Sequence, residues 1–327
     1  REALQAELTA HRLAGVTWAL VDGDRVRTGA LGVADQATGR PLAAHDAVEV
    51  GSVAKPLIAL AVLRAASLGR LSLDEPVQAR LPQFAVDNPW QATHPLRLRH
   101  LLDMTSGLED IRLWHFFDRR HGVDQPLALA FTRDASVLRL RSAPGTRFSY
   151  SNLGFTMAAM VLEAAVGERY ETWMTRELLR PLGLHATVLG ALPPGMNAAR
   201  GHVDDAGPVD SLPTAVRPAA RLLTTVGDLA RLLQFVVAGD GRLHGRDFID
   251  PALMRQLGRP TGTDAARAGL ATGYGLGWFT RDRHGAVGLC HGGSVAGWRA
   301  LVCAWPEARR GFALVHNHDR EGAAYDR

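Results

Sequence analysis

Lysine is almost missing from this chain. Of its 37 basic residues other than histidine, 36 are arginine and one, Lys55, is lysine. Arginine thus serves wherever a plain positive charge is needed. Because arginine keeps its proton in a protein and a buried lysine can lose one, Lys55 is a candidate for chemistry that needs a titratable amine. Cysteine is nearly as scarce. Cys290 and Cys303 lack metal-ligand spacing, exclude a disulfide framework and read as two buried free thiols, with a single bridge or a functional role as the alternative. Long apolar runs are absent: stretches such as Leu57–Leu63 are far too short to span a bilayer, so no membrane segment is expected. Strong net charge is absent too. At +4, with scattered basic residues and no cluster interleaved with aromatics, the chain offers nothing to a nucleic acid.

Its 46% apolar and 21% charged residues belong to a globular protein, and 327 residues suffice for one large domain or two closely packed lobes. Arg1 stands where a methionine would and no apolar leader follows, so the start reads as a processed end with any export signal removed. The chain also stops soon after its last expected strand.

The spacing of Leu4 and Leu8 predicts a helix over 2–11. Val16–Val21 and Arg25–Val33 read as a hairpin turning at Asp22-Gly23-Asp24. After Val48–Val50 the pattern switches at Gly51-Ser52 to a helix that carries Pro56 in its first turn and closes at Gly69. Helices are expected at 97–103, 127–140, 151–166 and 170–180, a long loop at 190–218, and a helix at 225–237 opened by Thr225 with Asp228 three residues on. Tyr274–Thr280, Ala286–Cys290, Arg299–Trp305 and Phe312–His316 read as antiparallel strands. The expected fold is α/β: an antiparallel sheet built from both termini and flanked by helices (1–70 plus 215–327), with an inserted, mostly helical lobe (71–214). The two form one catalytic unit with the site in the cleft between them.

Three pieces carry chemistry. Ser52-Val53-Ala54-Lys55 sets a hydroxyl and an amine at i and i+3, on one helix face, with the serine at the helix N-terminus. A neutral lysine there accepts the serine proton. With ten serines in 327 residues, chance puts the only lysine three after a serine about one time in thirty. Tyr150-Ser151-Asn152 opens the helix over 151–166. A phenol near an ammonium has its pKa lowered and shuttles protons, and the asparagine amide suits a substrate carbonyl. The competing reading is a Ser151 cap beside a packed tyrosine. His291-Gly292-Gly293-Ser294 follows a strand; its glycines leave an open edge for a substrate backbone, and a backbone N–H there could pair with that of Ser52 as an oxyanion hole. The competing reading is a glycine turn between strands.

Together these pieces resemble the serine beta-lactamase and penicillin-binding protein superfamily, in particular the group with class C beta-lactamases, D-alanyl-D-alanine carboxypeptidases, D-aminopeptidases and family VIII esterases. The flanking phrases Leu101-Leu102-Asp103-Met104-Thr105-Ser106-Gly107-Leu108, Pro144-Gly145-Thr146, Thr225-Val226-Gly227-Asp228-Leu229 and Tyr274-Gly275-Leu276-Gly277-Trp278 are similar to that family's as well. The resemblance spans nearly the whole chain. It implies Ser52 as the acylated nucleophile and Lys55 and Tyr150 as the proton-transfer pair. It further implies substrate binding by Asn152, His291 and Gly293, and an oxyanion hole from the N–H groups of Ser52 and Ser294. No cofactor or metal is implied. The substrate would be a small molecule or peptide bearing an amide or ester, and the location periplasmic or extracellular, with a cytoplasmic esterase as the alternative. His291-Gly292-Gly293 stands where class C beta-lactamases usually carry Lys-Thr-Gly. That departure favours peptidase or esterase chemistry over true beta-lactamase activity; an acylated sensor without turnover, which would need a signalling or membrane segment, is a further alternative.

Other features are set aside. His316-Asn317-His318 has no acidic or histidine partner set and reads as structural. Gly292-Gly293-Ser294-Val295-Ala296 lacks the last glycine of a nucleophile elbow. The pairs Asp204-Asp205 and Glu109-Asp110 read as solvated loops.

Overall fold

The structure, a computed structural model, describes residues 2–117, 120, 122–204, 207–210, 213–283 and 285–320. Its main element is an eight-stranded sheet in which every neighbouring pair is antiparallel. In spatial order the strands are Tyr274–Gly275, Trp278–Arg283, Ala286–Val295, Trp298–Trp305, Arg310–His316, Gly15–Asp22, Arg25–Asp35 and Arg40–Pro41. The two ends of the sequence meet where Gly15–Asp22 pairs with Arg310–His316, from Val16 opposite His316 to Asp22 opposite Arg310. This sheet built from both ends is the expected one. The first hairpin also turns where predicted, through Gly23 and Asp24 between the paired Asp22 and Arg25.

One face of the sheet is covered by the helix Val226–Ala238, which packs on Gly15–Asp22 and Arg310–His316. Thr225 caps that helix by accepting from the Asp228 N–H at 3.2 Å. The Asp228 carboxylate does not complete the capping box; it accepts instead from Ala186 N and Thr187 Oγ1, each at 2.8 Å. Beyond the sheet, the helices Ala54–Ser67 and Asn152–Val166 pack against each other. Both are apolar nearly all round, the pattern of a helix with no solvent face, and both lie in the core. The helix at 97–103 appears as Leu98–Leu102, and that at 170–180 as Tyr170–Met174 followed by a π turn, Thr175–Leu179.

Five expectations are corrected. The single strand expected over Tyr274–Thr280 is a tight hairpin, Tyr274–Gly275 paired with Trp278–Arg283 across the turn at Leu276-Gly277. The continuous helix over 127–140 is two short pieces, Leu129–Thr132 and a 3₁₀ turn at Ala135–Leu138. Between them Asp134 is extended and its side chain accepts from Ser136 N at 3.0 Å, a local bond that competes with helix propagation. The loop at 190–218 holds a small hairpin, Gly201–Val203 with Gly207–Val209; Asp205 lies outside the described residues, as do Arg1 and the end, 321–327. The strand expected to end at Cys290 continues to Val295. Finally, Cys290 and Cys303 are not free thiols but a disulfide. The strands Ala286–Val295 and Trp298–Trp305 turn at Ala296-Gly297, and the two cysteines lie at equal distance from that turn. They therefore face each other in register, with Cα atoms 4.1 Å apart.

Among the described residues, no helix is long and apolar enough to cross a membrane.

Candidate active site

Ser52 sits on a 3₁₀ turn, Gly51–Val53, that runs directly into the helix Ala54–Ser67. Two glycines hold this turn against the strand Ala286–Val295. Gly51 has φ +53°, a left-handed conformation suited to glycine, and a Cβ there would lie 3.0 Å from Ser294 N. A Cβ on Gly293 would fall 1.9 Å from the Val50 carbonyl oxygen and 3.2 Å from Ser52 N. The close approach that Gly293 permits is thus one of the chain to itself. The strand is open to one side here: its pairing with Trp278–Arg283 ends at Cys290, while Gly292–Val295 stay paired to Trp298–Leu301. The N–H groups of Ser52 and Ser294 therefore belong to two segments in contact beside a free strand edge. Ser294 lies within a strand rather than on a strand-to-helix turn, which is not the setting of a nucleophile elbow.

Lys55, one turn after Ser52, has no exposed surface. Its Nζ lies 2.9 Å from Ser52 Oγ, 2.7 Å from Asn152 Oδ1 and 2.7 Å from the Ala219 carbonyl oxygen. The Tyr150 ring covers it, with the centroid 4.8 Å away. Burial brings the lysine down to about 7, opposed by the negative charge of Asp110. The lone lysine of the sequence thus occupies an environment that makes its amine titratable near neutrality.

Tyr150 departs from expectation. Its phenol is not lowered; burial pushes it up to about 12, against a hydrogen bond with Ser52, and the charge of Asp110 pushes the same way. Ser151 does cap the helix Asn152–Val166, accepting from Gly154 N at 3.0 Å, so the capping and chemical readings of this motif coexist.

Asn152 bridges Lys55 to a residue that sequence reasoning missed. Its Nδ2 donates to Asp110 Oδ1 at 2.9 Å and Oδ2 at 3.1 Å, and its backbone N–H donates to Asp110 Oδ1 at 2.8 Å. Asp110 is therefore no solvated loop carboxylate: it anchors the N-terminus of the helix Asn152–Val166 and fixes the asparagine amide, so that the amide oxygen faces Lys55. Its neighbour Glu109 pairs with Arg112 and Arg141. No local spacing could have revealed Asp110, which stands 42 residues from Asn152.

His291 is 1% exposed and its ring is engaged on both sides. Nδ1 lies 2.7 Å from the Gly292 carbonyl oxygen, which can only accept, so Nδ1 carries the proton. Burial, with the charge of Lys55 behind it, lowers the imidazole to about 3, so the ring is neutral and Nε2 accepts from Tyr274 Oη at 3.1 Å. In this form His291 braces the wall of the site and presents no charge to the cleft. Beside Ser294 lies a cavity of about 460 Å³ lined by Glu49, Phe116, Thr214, Ala220 and Arg299. All seven sequence-predicted residues thus gather at one place, with His291 behind the surface.

The features set aside have structural partners. Asn317 Nδ2 donates to the carbonyl groups of Val33, Ala34 and Arg200, and its own carbonyl meets His202 Nδ1 at 2.8 Å. Asp204 pairs with Arg320 and His318. Among the described residues, no group of three or more His, Cys, Asp or Glu is placed to hold a metal ion.

The chain matches the Beta-lactamase family model over residues 1–327. It is 30% identical to penicillin-binding protein 4 of Amycolatopsis lactamdurans, over 97% of this chain and 84% of that protein. It is 34% identical to esterase EstB of Burkholderia gladioli over a shorter region, 47% of this chain and 41% of the esterase. Among solved structures, the octameric penicillin-binding protein homologue from Pyrococcus abyssi superposes with a TM-score of 0.80 at 21% identity, covering 97% of this chain and 72% of that one. This last likeness is one of fold.

Proposed function

Since the chain belongs to the Beta-lactamase family, we propose that it is a serine hydrolase that cleaves a small ester or amide through an acyl-enzyme on Ser52. The observation that carries this reading is the contact of Lys55 Nζ with Ser52 Oγ at 2.9 Å, inside a pocket that brings the amine to about 7. A neutral amine has two N–H groups and one lone pair. Asn152 Oδ1 and the Ala219 carbonyl can only accept, so they take the two N–H groups, and the lone pair is left for the Ser52 hydroxyl. Lys55 is therefore the first base, and Tyr150, protonated up to about 12, is the relay.

The steps follow. The Ser52 proton passes to Lys55 as Oγ bonds to the substrate carbonyl carbon. The oxyanion meets the N–H groups of Ser52 and Ser294. On collapse the bond to the leaving group breaks, and that group takes the Lys55 proton by way of the Tyr150 hydroxyl. Water then attacks the acyl-enzyme, gives its proton to the same pair and releases the acid, and Ser52 is reprotonated. Asp110 and Asn152 hold the amine in place. The neutral His291 supplies no fixed cation for a substrate carboxylate, which supports esterase or peptidase chemistry over beta-lactamase chemistry.

The sheet region (1–70 plus 215–327) and the helical lobe (71–214) act as one catalytic unit. An oxidising location, periplasmic or extracellular, is supported by the Cys290–Cys303 disulfide.

Intact-protein mass spectrometry after mixing with a p-nitrophenyl ester tests the reading. An acyl adduct and a burst of nitrophenol are expected from the unaltered protein and neither from Ser52→Ala; labelling that survives Ser52→Ala refutes it. Benzylpenicillin run in parallel should leave a lasting adduct or stay intact, and efficient consumption would make the protein a beta-lactamase.

A further inference from the structure

The Cys290–Cys303 bridge sits where the sheet narrows. Cys290 is the last residue of the strand Ala286–Val295 with a strand on both sides, opposite Phe279 in one neighbour and Cys303 in the other. Among the described residues, 291–295 pair with 298–302 alone, and their other edge is open. This one-sided arm contains Gly292 and Gly293, and a glycine-rich strand specifies its register only weakly.

Register decides which backbone groups face the open edge. In an antiparallel pair, opposed residues alternate between those that exchange both backbone hydrogen bonds, with Cα atoms about 5.5 Å apart, and those that exchange none, about 4.5 Å apart. Cys290 and Cys303, at 4.1 Å, are a pair of the second kind. Along the register, Gly292 opposite Leu301 and Ser294 opposite Arg299 are therefore of that kind too, whereas His291, Gly293 and Val295 bond to Val302, Ala300 and Trp298. The N–H and C=O of Gly292 and Ser294 thus turn away from the partner strand. The Gly292 carbonyl is accordingly free to meet His291 Nδ1 at 2.7 Å. A slip of one residue would turn the Ser294 N–H into the partner strand and every side chain of the arm to the other face.

We propose that the Cys290–Cys303 bridge is a positioning device for catalysis: it pins the register of the arm 291–295 and so keeps the Ser294 N–H turned to the oxyanion. The inference rests on the acyl-serine reading, in which that N–H meets the oxyanion. The two cysteines are 2% and 3% exposed, packed with Leu301, Trp305 and Phe312, so the bridge acts through the strand and not on substrate. It ties the two strands together at the residue where the third strand stops holding them. Turnover thereby depends on redox state. A dithiol that opens the bridge gives two electrons and two protons to the cystine sulfurs, closes its own disulfide and leaves two thiols free to part.

The test compares the oxidised protein, the same protein reduced with dithiothreitol, and the Cys290→Ala/Cys303→Ala variant, each checked for folding by a thermal melt. With a p-nitrophenyl ester, opening the bridge should lower kcat about tenfold or more, towards the loss of about 10²–10³ that follows removal of an oxyanion donor. The loss should fall on kcat rather than KM, the pH of the rising limb should stay because Lys55 is untouched, and reoxidation of the reduced protein should restore kcat. Hydrogen exchange supplies the local readout. The amides of His291, Gly293 and Val295 should lose protection about tenfold or more, while those of Arg310–His316 change far less. An unchanged kcat, protection lost equally in both strands, or a reduced protein that unfolds makes the bridge a general staple and overturns the proposal. If the oxidised protein shows no Ser52-dependent turnover, the acyl-serine reading has failed, and exchange judges the bridge alone. Protection of 291–295 that survives its opening then overturns the bridge as the pin of the arm, and selective loss there supports it.

Discussion

Replacing Lys55 by arginine keeps a positive charge at the buried position and removes the ability to lose it. At pH 7 a lysine at its ordinary 10.5 is neutral in about one molecule in 3,000, whereas one brought to about 7 is neutral in about half. The burial of this amine therefore raises the fraction of usable base about a thousandfold. Arginine offers none at any accessible pH. General-base assistance contributes about 10²–10⁴ in rate, so kcat/KM of Lys55→Arg should fall by about three orders of magnitude. The pH profile supplies the mechanism-specific readout. Because the neutral amine is the active form, kcat/KM of the unaltered protein should rise about tenfold per pH unit below 7 and level off above it. What survives in Lys55→Arg should not show that rise. The assay is initial-rate hydrolysis of a p-nitrophenyl ester between about pH 5 and 9 at constant ionic strength, with a thermal melt to establish that the variant is folded. Activity within about tenfold of the unaltered protein, or an unaltered profile that is flat through neutrality, refutes Lys55 as the base.

Three more outcomes are expected. In Asp110→Asn the charge that holds the Lys55 pKa up is gone, so the rising limb of the pH profile should move to lower pH; a limb that stays or moves up counts against the assigned coupling. Gly293→Ala forces a Cβ onto the Val50 carbonyl oxygen and should cost about 3 kcal/mol or more as well as esterase activity, read by chemical denaturation and ester turnover. Reducing the Cys290–Cys303 bridge, which spans 13 residues, should cost about 3 kcal/mol in urea titrations with and without reductant; identical midpoints would mean that the thiols are free.

Sequence alone was enough to bring Ser52 and Lys55 together. Lys55 stood out by the absence of every other lysine, and its three-residue distance from Ser52 is a property of local helical geometry that needs no tertiary knowledge. The strands at both ends were legible as short segments separated by turns, and their placement at the two termini already suggested a single sheet. The reading failed where strands were cut too short. Ending one at Cys290 hid the Ala296-Gly297 turn, and with it the register that sets Cys290 opposite Cys303.

Only the tertiary structure decided how the site is tuned. Burial brings Lys55 to about 7, pushes Tyr150 up to about 12 and keeps His291 neutral, and burial is a property of everything packed around a side chain. The partners that fix the proton inventory are the Asp110 carboxylate, the Ala219 carbonyl and the Tyr274 hydroxyl. They come from positions 55, 164 and 17 residues away from the groups they serve, counting from Lys55 to Asp110, Lys55 to Ala219 and Tyr274 to His291. Each contact depends on where helices and strands pack, and no residue spacing encodes that. Composition and local geometry picked out Ser52 and Lys55 as neighbours; long-range packing set the burial that brings the amine to about 7.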